Sequence, residues 1–447
     1  MYKAYIVEIK ELRPHPNADR LQIATFFGND VCISLDAKIG DKGIYFPTDG
    51  QLSVEYCVEN HLCRRKPDGT EDTGYMDPSK RNVTAIRLRG EKSDGLYAPI
   101  SSLEFTGVNL DELNVGDTID VVNGVEICRK YIPRGNKVRS NTSEGNRTRK
   151  KTAPIAPLFA EHADTEQLAY NLSAFRPGDQ IEITLKMHGT SGRTGYLPTL
   201  KKYKRTLMDR ILRREGTPVY DWGYVTGTRR TIVKDSAGGF YGSNAFREQH
   251  AKLFEGKLWK GETVYYELVG FTDLEQPIMG TGKNAKVGKD FVKQYGDITV
   301  FSYGCSPTEK EGVGITETDV PQSDIYVYRM TMTTEDGNVI DYTPDFVRYR
   351  CEQMGVKTVP VFWKGFIPTD GHDYPSAGDW VKGLAESYYD GPDPVGKTHI
   401  REGVVVRVVN RPKFSAYKHK NFSFKVLEGI VKADADAPDM EEAEDLK

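Results

Sequence analysis

No stretch of the 447 residues approaches the roughly 20 consecutive apolar positions that carry a helix across a bilayer, so a helical membrane protein is excluded. The opening run Met1-Tyr2-Lys3-Ala4-Tyr5-Ile6-Val7-Glu8 lacks the apolar core of a signal peptide and reads as the start of a strand. Cysteine is sparse. None of Cys32, Cys57, Cys63, Cys128, Cys305 and Cys351 falls into a C-x-x-C pair, which argues against a zinc site or a disulfide framework. Buried reduced thiols are expected, in a protein that is cytoplasmic or otherwise intracellular, in a host cell if viral. Net charge is also small, at −3, which excludes a polyanion partner held by overall charge alone.

That average hides two basic blocks. Residues 129–151 hold nine Lys or Arg against the single acid Glu144, and residues 200–214 hold Lys201, Lys202, Lys204, Arg205, Arg210, Arg213 and Arg214. Both suit a phosphate backbone, and both equally suit solvated surface. The length is right for two or three domains. Residues 1–123 alternate short apolar runs (4–9, 22–26, 31–35, 43–46, 85–88, 118–121) with Gly, Asn, Asp and Pro turn signals, the pattern of a small closed barrel of the OB kind. Residues 124–154 form a basic linker. Residues 155–430 mix strands (180–185, 264–269, 298–303, 403–409) with helical stretches (200–214, 245–254, 344–354, 380–386), and 431–447 is an acidic tail. The fold class expected is α+β.

Chemistry concentrates in the third segment. Lys186 ends the 180–185 strand and precedes Met187-His188-Gly189-Thr190-Ser191, so its amine can project into a cleft while Gly189 lets the backbone approach a ligand closely. An amine attacks only when neutral, which takes desolvation or nearby positive charge. A lone lysine before a turn is usually just solvated. Here further pieces follow in order: Glu267 on a strand of apolar residues, Phe301 and Tyr303 on one face of another, Glu402 at the mouth of Gly403-Val404-Val405-Val406, and Lys418 and Lys420 two residues apart on one face.

This order resembles the covalent nucleotidyltransferase superfamily of ATP-dependent ligases and capping enzymes. Its motifs run Lys-x-x-Gly, an acid-bearing strand, an aromatic strand, Glu-Gly with aliphatics, then Lys-x-Lys. His188, where DNA ligases and capping enzymes carry Asp, resembles instead an RNA ligase clade typified by the Deinococcus enzyme, as do Phe159-x-Glu161-His162-x-Asp164-Thr165 and Tyr303-Gly304-Cys305. His15-Pro16-Asn17-Ala18-Asp19-Arg20-Leu21, with Arg89-Gly90 and Ser93-Asp94-Gly95-Leu96, resembles the tRNA-binding OB-type module attached to some aminoacyl-tRNA synthetases. The resemblance implies an ATP-grasp-like catalytic domain of antiparallel sheets with flanking helices, ATP and Mg²⁺ or Mn²⁺ as cofactors, and an RNA partner, with nicks in RNA or RNA/DNA duplexes as substrate and a monomeric state.

Residue by residue, it implies Lys186 as the nucleophile that takes AMP, and Glu267 on the ribose. Phe301 or Tyr303 would stack on adenine, and Glu402 would hold the divalent ion. Lys418 and Lys420 would meet the α-phosphate, with Lys425 the alternative second lysine. Arg193 would reach the ribose or the 5′-phosphate, and His188 and Gly189 would shape the nucleotide pocket. Arg229, Arg230 and Arg247 are candidate substrate contacts, with structural salt bridges the plainer reading. A GTP-dependent capping-type guanylyltransferase needs the same lysine chemistry; a DNA ligase fits His188 and the N-terminal module less well. A non-catalytic RNA-binding protein predicts no covalent nucleotide at all.

Overall fold

The computed structural model describes residues 2–132, 153–163, 165–211, 216–236, 238–280, 300–307, 320–370, 373–397 and 399–433. These form two compact units, residues 2–132 with 421–433, and residues 153–420. The acidic tail expected at 431–447 lies almost wholly outside the described residues, as does most of the basic linker. No helix among the described residues is long and apolar enough to cross a membrane.

The N-terminal unit is built from short antiparallel sheets. Leu96–Pro99, Lys42–Phe46, Ala4–Glu8 and Thr118–Ile119 lie side by side in that order, and Leu12–Pro14, Leu21–Phe26 and Asn29–Ser34 form a second sheet. Ala4, Ile6, Ile44, Phe46, Leu52 and Tyr56 meet in its core. The His15-to-Leu21 string braces a turn: Asn17 N donates to His15 Nδ1 (3.1 Å), which leaves the ring's Nε2 to donate to Leu88 O (3.0 Å). The helix Phe422–Ala433 belongs to this unit although it follows the last strand of the other. Asn421 caps it by accepting from Ser423 N at 2.7 Å, and Lys425 pairs with Asp94 at 2.6 Å. The ring of Phe422 takes the cations of Arg87 and Lys92, each 5.4 Å from its centroid.

The larger unit has two mostly antiparallel sheets. In one, the order is Glu166–Gln167, Ser415–Lys420, Gly403–Val408, Gln180–Lys186, Val361–Phe366; in the other, Thr217–Gly227, Thr190–Lys204, Glu262–Gly270, Ser323–Thr333, Val339–Asp341. The chain passes from the first sheet to the second in three residues, Met187, His188 and Gly189, which places Lys186 at the seam. Ile181, Ile183, Val404, Val406 and Val408 turn one face of the first sheet into a core with Val381 and Ala385 of the helix Ala377–Glu386. The alternate positions Glu182, Thr184, Lys186, Val405 and Arg407 face the other way, as strand periodicity requires. The helix Pro344–Met354 starts on Thr343, whose hydroxyl accepts from Phe346 N, with Pro344 in the first turn where no N–H is missed, and ends at Gly355 with φ 68°. Arg350 ties it to the second sheet through Glu262, buried, at 2.8 Å.

The first third of the helix expected over 200–214 is strand instead, and residues 212–214 lie outside the described residues. Thr190–Lys204 runs through its first residues and the helix shrinks to Leu207–Ile211. The helical reading followed straight-chain cations, which favour helix but supply no apolar stripe. Pairing with Thr217–Gly227, rich in aromatic and β-branched residues, decides the conformation.

Candidate active site

The Lys186 amine is ion-paired with Glu402 Oε1 at 2.7 Å, and Lys420 Nζ lies 3.4 Å from the same oxygen. Glu402 is fully buried, so one carboxylate without solvent holds two ammonium groups. Backbone register makes this arrangement: Lys186 pairs with Gly403, and Gly403 with Lys420, across three neighbouring strands. A side chain on Gly403 (φ 149°) would strike His419 O at 2.1 Å, so the close approach of these strands needs glycine there. Lys418 shares the face of Ala416 and Lys420 and pairs with Val405. Lys425, bonded to Asp94 in the N-terminal unit, is engaged there.

From Lys186 a cavity runs between the two sheets of the larger unit. The first sheet contributes Glu182, Thr184, Val405, Arg407 and Ala416, and the second contributes Ser191, Glu267 and Tyr328. Tyr328, Phe414 and His162 supply aromatic walls, the His162 ring meeting Tyr328 edge-on at 5.0 Å and Phe414 at 6.2 Å. Burial, then the charges of Arg329, Arg229, Arg193 and Arg407, press the His162 pKa well below its ordinary value, so the ring is neutral. Arg329 Nη1 lies 3.3 Å from His162 Nδ1, which can only accept from a guanidinium. Burial raises the Tyr328 phenol, which bonds to Ser191.

Phe301 and Tyr303 are not among the residues lining this cavity. They sit under the turn that follows Lys186. His188 N donates to Tyr303 Oη at 2.6 Å, and the His188 ring meets Phe301 edge-on at 4.7 Å. His188 Nδ1 is 3.7 Å from Glu402. Behind them His399 packs 5.0 Å from Phe301 and 4.4 Å from Tyr303, and burial lowers its pKa to about 4. Gly189 closes the turn: a Cβ there would meet Leu268 O at 2.3 Å and Glu267 Cγ at 2.8 Å. The glycine thereby sets the distance between nucleophile strand and Glu267 strand. Of the two aromatics expected against the base, Tyr303 thus holds the backbone of the nucleophile turn and Phe301 packs on its His188 ring. Of the rings on the cavity, His162 belongs to a motif legible in the sequence, whereas Tyr328 and Phe414 do not, although Tyr326-Val327-Tyr328 alternates as a strand should and follows the acid-bearing strand.

Two of the four arginines singled out, Arg193 and Arg247, hold backbone with their side chains. Arg193 is 2 % exposed and donates to four carbonyls, Thr228 O, Phe159 O, Ala160 O and Arg230 O, at 2.6–3.1 Å, with its guanidinium 4.2 Å from the centre of the Phe159 ring. Arg247, also buried, donates to Ser191 O (2.9 Å) and Thr190 Oγ1 (2.7 Å), just beyond the nucleophile turn. Arg230 offers its carbonyl to Arg193 and its own side chain is exposed. Arg229 lines the cavity.

Asp393 is buried near this turn. It accepts from Val395 N at 2.7 Å, and burial raises its pKa to about 7. The folded carboxyl holds its proton more tightly than the unfolded one, so it favours the fold below about pH 4 and that contribution is lost as pH rises towards 7. Asp393→Asn is therefore expected to raise stability at about pH 8 by on the order of 1–2 kcal/mol and to change little at about pH 4. Thermal melts at the two pH values check this; an equal shift at both would contradict it.

A divalent ion is tested by the donors present. Among the described residues no three acid, His or Cys side chains cluster as a metal cage. The buried Glu402 beside Lys186 fits instead an ion shared between one carboxylate, nucleotide phosphates and water, the usual manner of Mg²⁺.

Neither protein-family models nor curated proteins match the chain. Among solved structures it is similar to an RNA ligase of Naegleria gruberi. A lysine-to-methionine variant of that protein, solved with AMP and Mn, gives a TM-score of 0.53 at 16% identity and covers 97% of this chain and 99% of that one. A lysine-to-alanine variant with ATP and Mn gives 0.53 at 17% identity over 96% and 99%, and the structure with PPi gives 0.52 at 16% over 94% and 97%. At such identity the likeness shows a shared fold, spanning nearly the whole of both chains.

Proposed function

We propose that this protein is an ATP-dependent RNA ligase of the covalent nucleotidyltransferase type, close to the Deinococcus-type clade. One observation carries the reading: a lysine at the seam of two sheets shares a buried glutamate with a second lysine, at the mouth of a cavity walled by Glu267 and by aromatic rings. The Naegleria protein of the same fold, solved with ATP, AMP, PPi and Mn, supports it.

In the first step the neutral Lys186 amine attacks the α-phosphorus of ATP. The N–P bond forms, the bond to pyrophosphate breaks, and a proton leaves the amine. In the resting arrangement that amine is ion-paired with Glu402, so the pair must open before attack. Lys418 and Lys420 oppose the charge that builds on the phosphate. Glu267 accepts from a ribose hydroxyl. Glu402 would hold a divalent ion, which would further neutralise the phosphates. AMP then passes to a 5′-phosphate, and a 3′-hydroxyl displaces it with formation of the phosphodiester. Nicked duplexes are the proposed substrate, a single copy of the chain the working form, and the N-terminal unit, as an OB-type module, an RNA-binding part.

In this reading the base lies between Tyr328 and Val405, which line the cavity, rather than on Phe301 or Tyr303. Tyr328→Leu is expected to raise KM for ATP about 10-fold or more, the worth of one base–ring stack (~1–3 kcal/mol). Phe301→Leu, acting through the turn, should lower kcat and leave KM largely unchanged. The reverse pattern would return the stacking role to Phe301. Incubation with labelled ATP or GTP, with and without matched RNA and DNA nicks, tests the reading as a whole. Labelling by ATP and joining of nicks with an RNA 3′-hydroxyl are expected; labelling by GTP alone would overturn it.

A further inference from the structure

The strand that leaves the nucleophile turn does not end with its sheet. Thr190–Lys204 pairs with Glu262–Gly270 from Thr190↔Leu268 to Gly195↔Thr263, but with Thr217–Gly227 it continues from Arg193↔Gly227 to Lys204↔Thr217. Residues 196–204 and 217–224 therefore stand out as a two-stranded ribbon. Such ribbons are marginal alone in water. This one is braced near its base by Tyr196 stacked on Tyr224 (centroids 4.7 Å) and Tyr196 against Trp222 (5.8 Å). Along its edge, Leu200 N donates to Ile155 O at 2.7 Å and Tyr220 Oη to Pro154 O at 2.9 Å.

The far end has a different character. Lys201, Lys202, Lys204 and Arg205 are exposed, and beyond them Leu207, Met208 and Ile211 are 77%, 64% and 71% exposed. The acid in this stretch, Asp209, accepts from Thr206 N at 2.9 Å and so caps the short turn of helix. Lysines on an exposed strand edge commonly guard against edge-to-edge pairing. That accounts for the cations but leaves the three aliphatics at the tip without a reason. A protein interface centred here would be poor in lysine. Closely spaced cations leading to an aliphatic tip on a two-stranded ribbon match a nucleic-acid groove, with phosphates along the ribbon and sugar faces at the tip.

We propose that this ribbon is an arm that grips the double-stranded flank of the substrate at a distance from the joint. The proposal rests on the ligase reading for what the duplex is, not for the binding itself. The fourteen steps from Thr190 to Lys204 span at most about 48 Å at strand rise. At the ~34 Å turn of B-form DNA that reaches about 14 base pairs from Lys186, and the shorter rise of an A-form RNA duplex puts somewhat more within the same reach. Short flanks fall inside this reach and long flanks extend under the arm.

The test uses the full chain with Lys201, Lys202, Lys204 and Arg205 all changed to Ser, and separately with Leu207, Met208 and Ile211 changed to Ser. Binding to nicked RNA duplexes with flanks of about 8 or about 24 base pairs is measured without ATP, across a salt series. The unaltered protein should bind the long-flanked nick about 10-fold or more tightly than the short one at low salt, with a steeper salt dependence. The cation variant should lose that advantage, and its slope of log affinity against log salt should fall by about 3. The aliphatic variant should lose part of the advantage at an unchanged slope. Labelling of Lys186 by ATP should be unaffected in both. An advantage of long flanks that survives the cation changes would overturn the proposal, as would equal losses on short and long flanks. So would loss of binding to anionic phosphatidylserine vesicles with the flank advantage intact. Failure of the unaltered protein to label with ATP would instead sink the ligase reading, and the flank-dependent binding would still be read independently.

Discussion

Lys186→Ala and Lys186→Arg are both expected to abolish formation of a covalent nucleotide, for different reasons. Alanine removes the nucleophile. It also leaves Glu402 with Lys420 as its remaining ion-pair partner among those within 4 Å here described, apart from His188. Arginine keeps a cation for Glu402, but a guanidinium stays protonated at any workable pH and cannot attack phosphorus. The arginine variant is thus the better control: fold and nucleotide cavity persist while the adduct vanishes. Joining of a pre-adenylylated 5′ end, which bypasses the first step, should persist in Lys186→Arg at a reduced rate. If Lys186→Arg still labels with ATP, the nucleophile lies elsewhere.

Glu402→Gln carries the second large effect. The carboxylate has no exposed surface, lies 2.7 Å from one ammonium and 3.4 Å from another, and an amide oxygen replaces its charge with a dipole. Breaking a buried pair from one side commonly costs about 3–5 kcal/mol, so both melting temperature and adenylylation should fall, the latter by about 100-fold or more. Glu402→Asp retains the charge one methylene short and should recover stability more fully than rate. A Glu402→Gln protein with unchanged rate and stability would show that the shared carboxylate has no part in either.

What the sequence made legible was the linear order of motif pieces. The 180–185 run placed Lys186 at a strand end, and the Glu-Gly-aliphatic run supplied its neighbour; those are local properties, and Gln180–Lys186 and Gly403–Val408 form near their expected limits. The aromatic assignment needed tertiary information. Phe301 and Tyr303 have the spacing of a stacking pair, yet the turn between the sheets takes them as its support and Tyr328 faces the cavity. Arg193 has the chemistry of a phosphate clamp, but four carbonyls meet its donors. Nor could spacing show that the chain returns to the N-terminal unit immediately after Lys420. Phe424 and Leu427, buried at 1% and 2% exposure, belong to the helix in that unit. Deleting residues 1–122 by themselves therefore uncovers an apolar helix face, and a truncation meant to isolate the catalytic unit must also remove residues from 421 onward.

The central claim is that Lys186 becomes covalently adenylylated. Its most direct measurement is the intact mass of the full chain after incubation with ATP and Mg²⁺ or Mn²⁺, followed by peptide mapping under alkaline conditions that preserve a phosphoramidate. The account predicts a mass increase of one AMP, located on the peptide containing Lys186 and lost on brief acid treatment. An adduct on any other residue, or ATP turnover with joined product and no adduct at all, would contradict it.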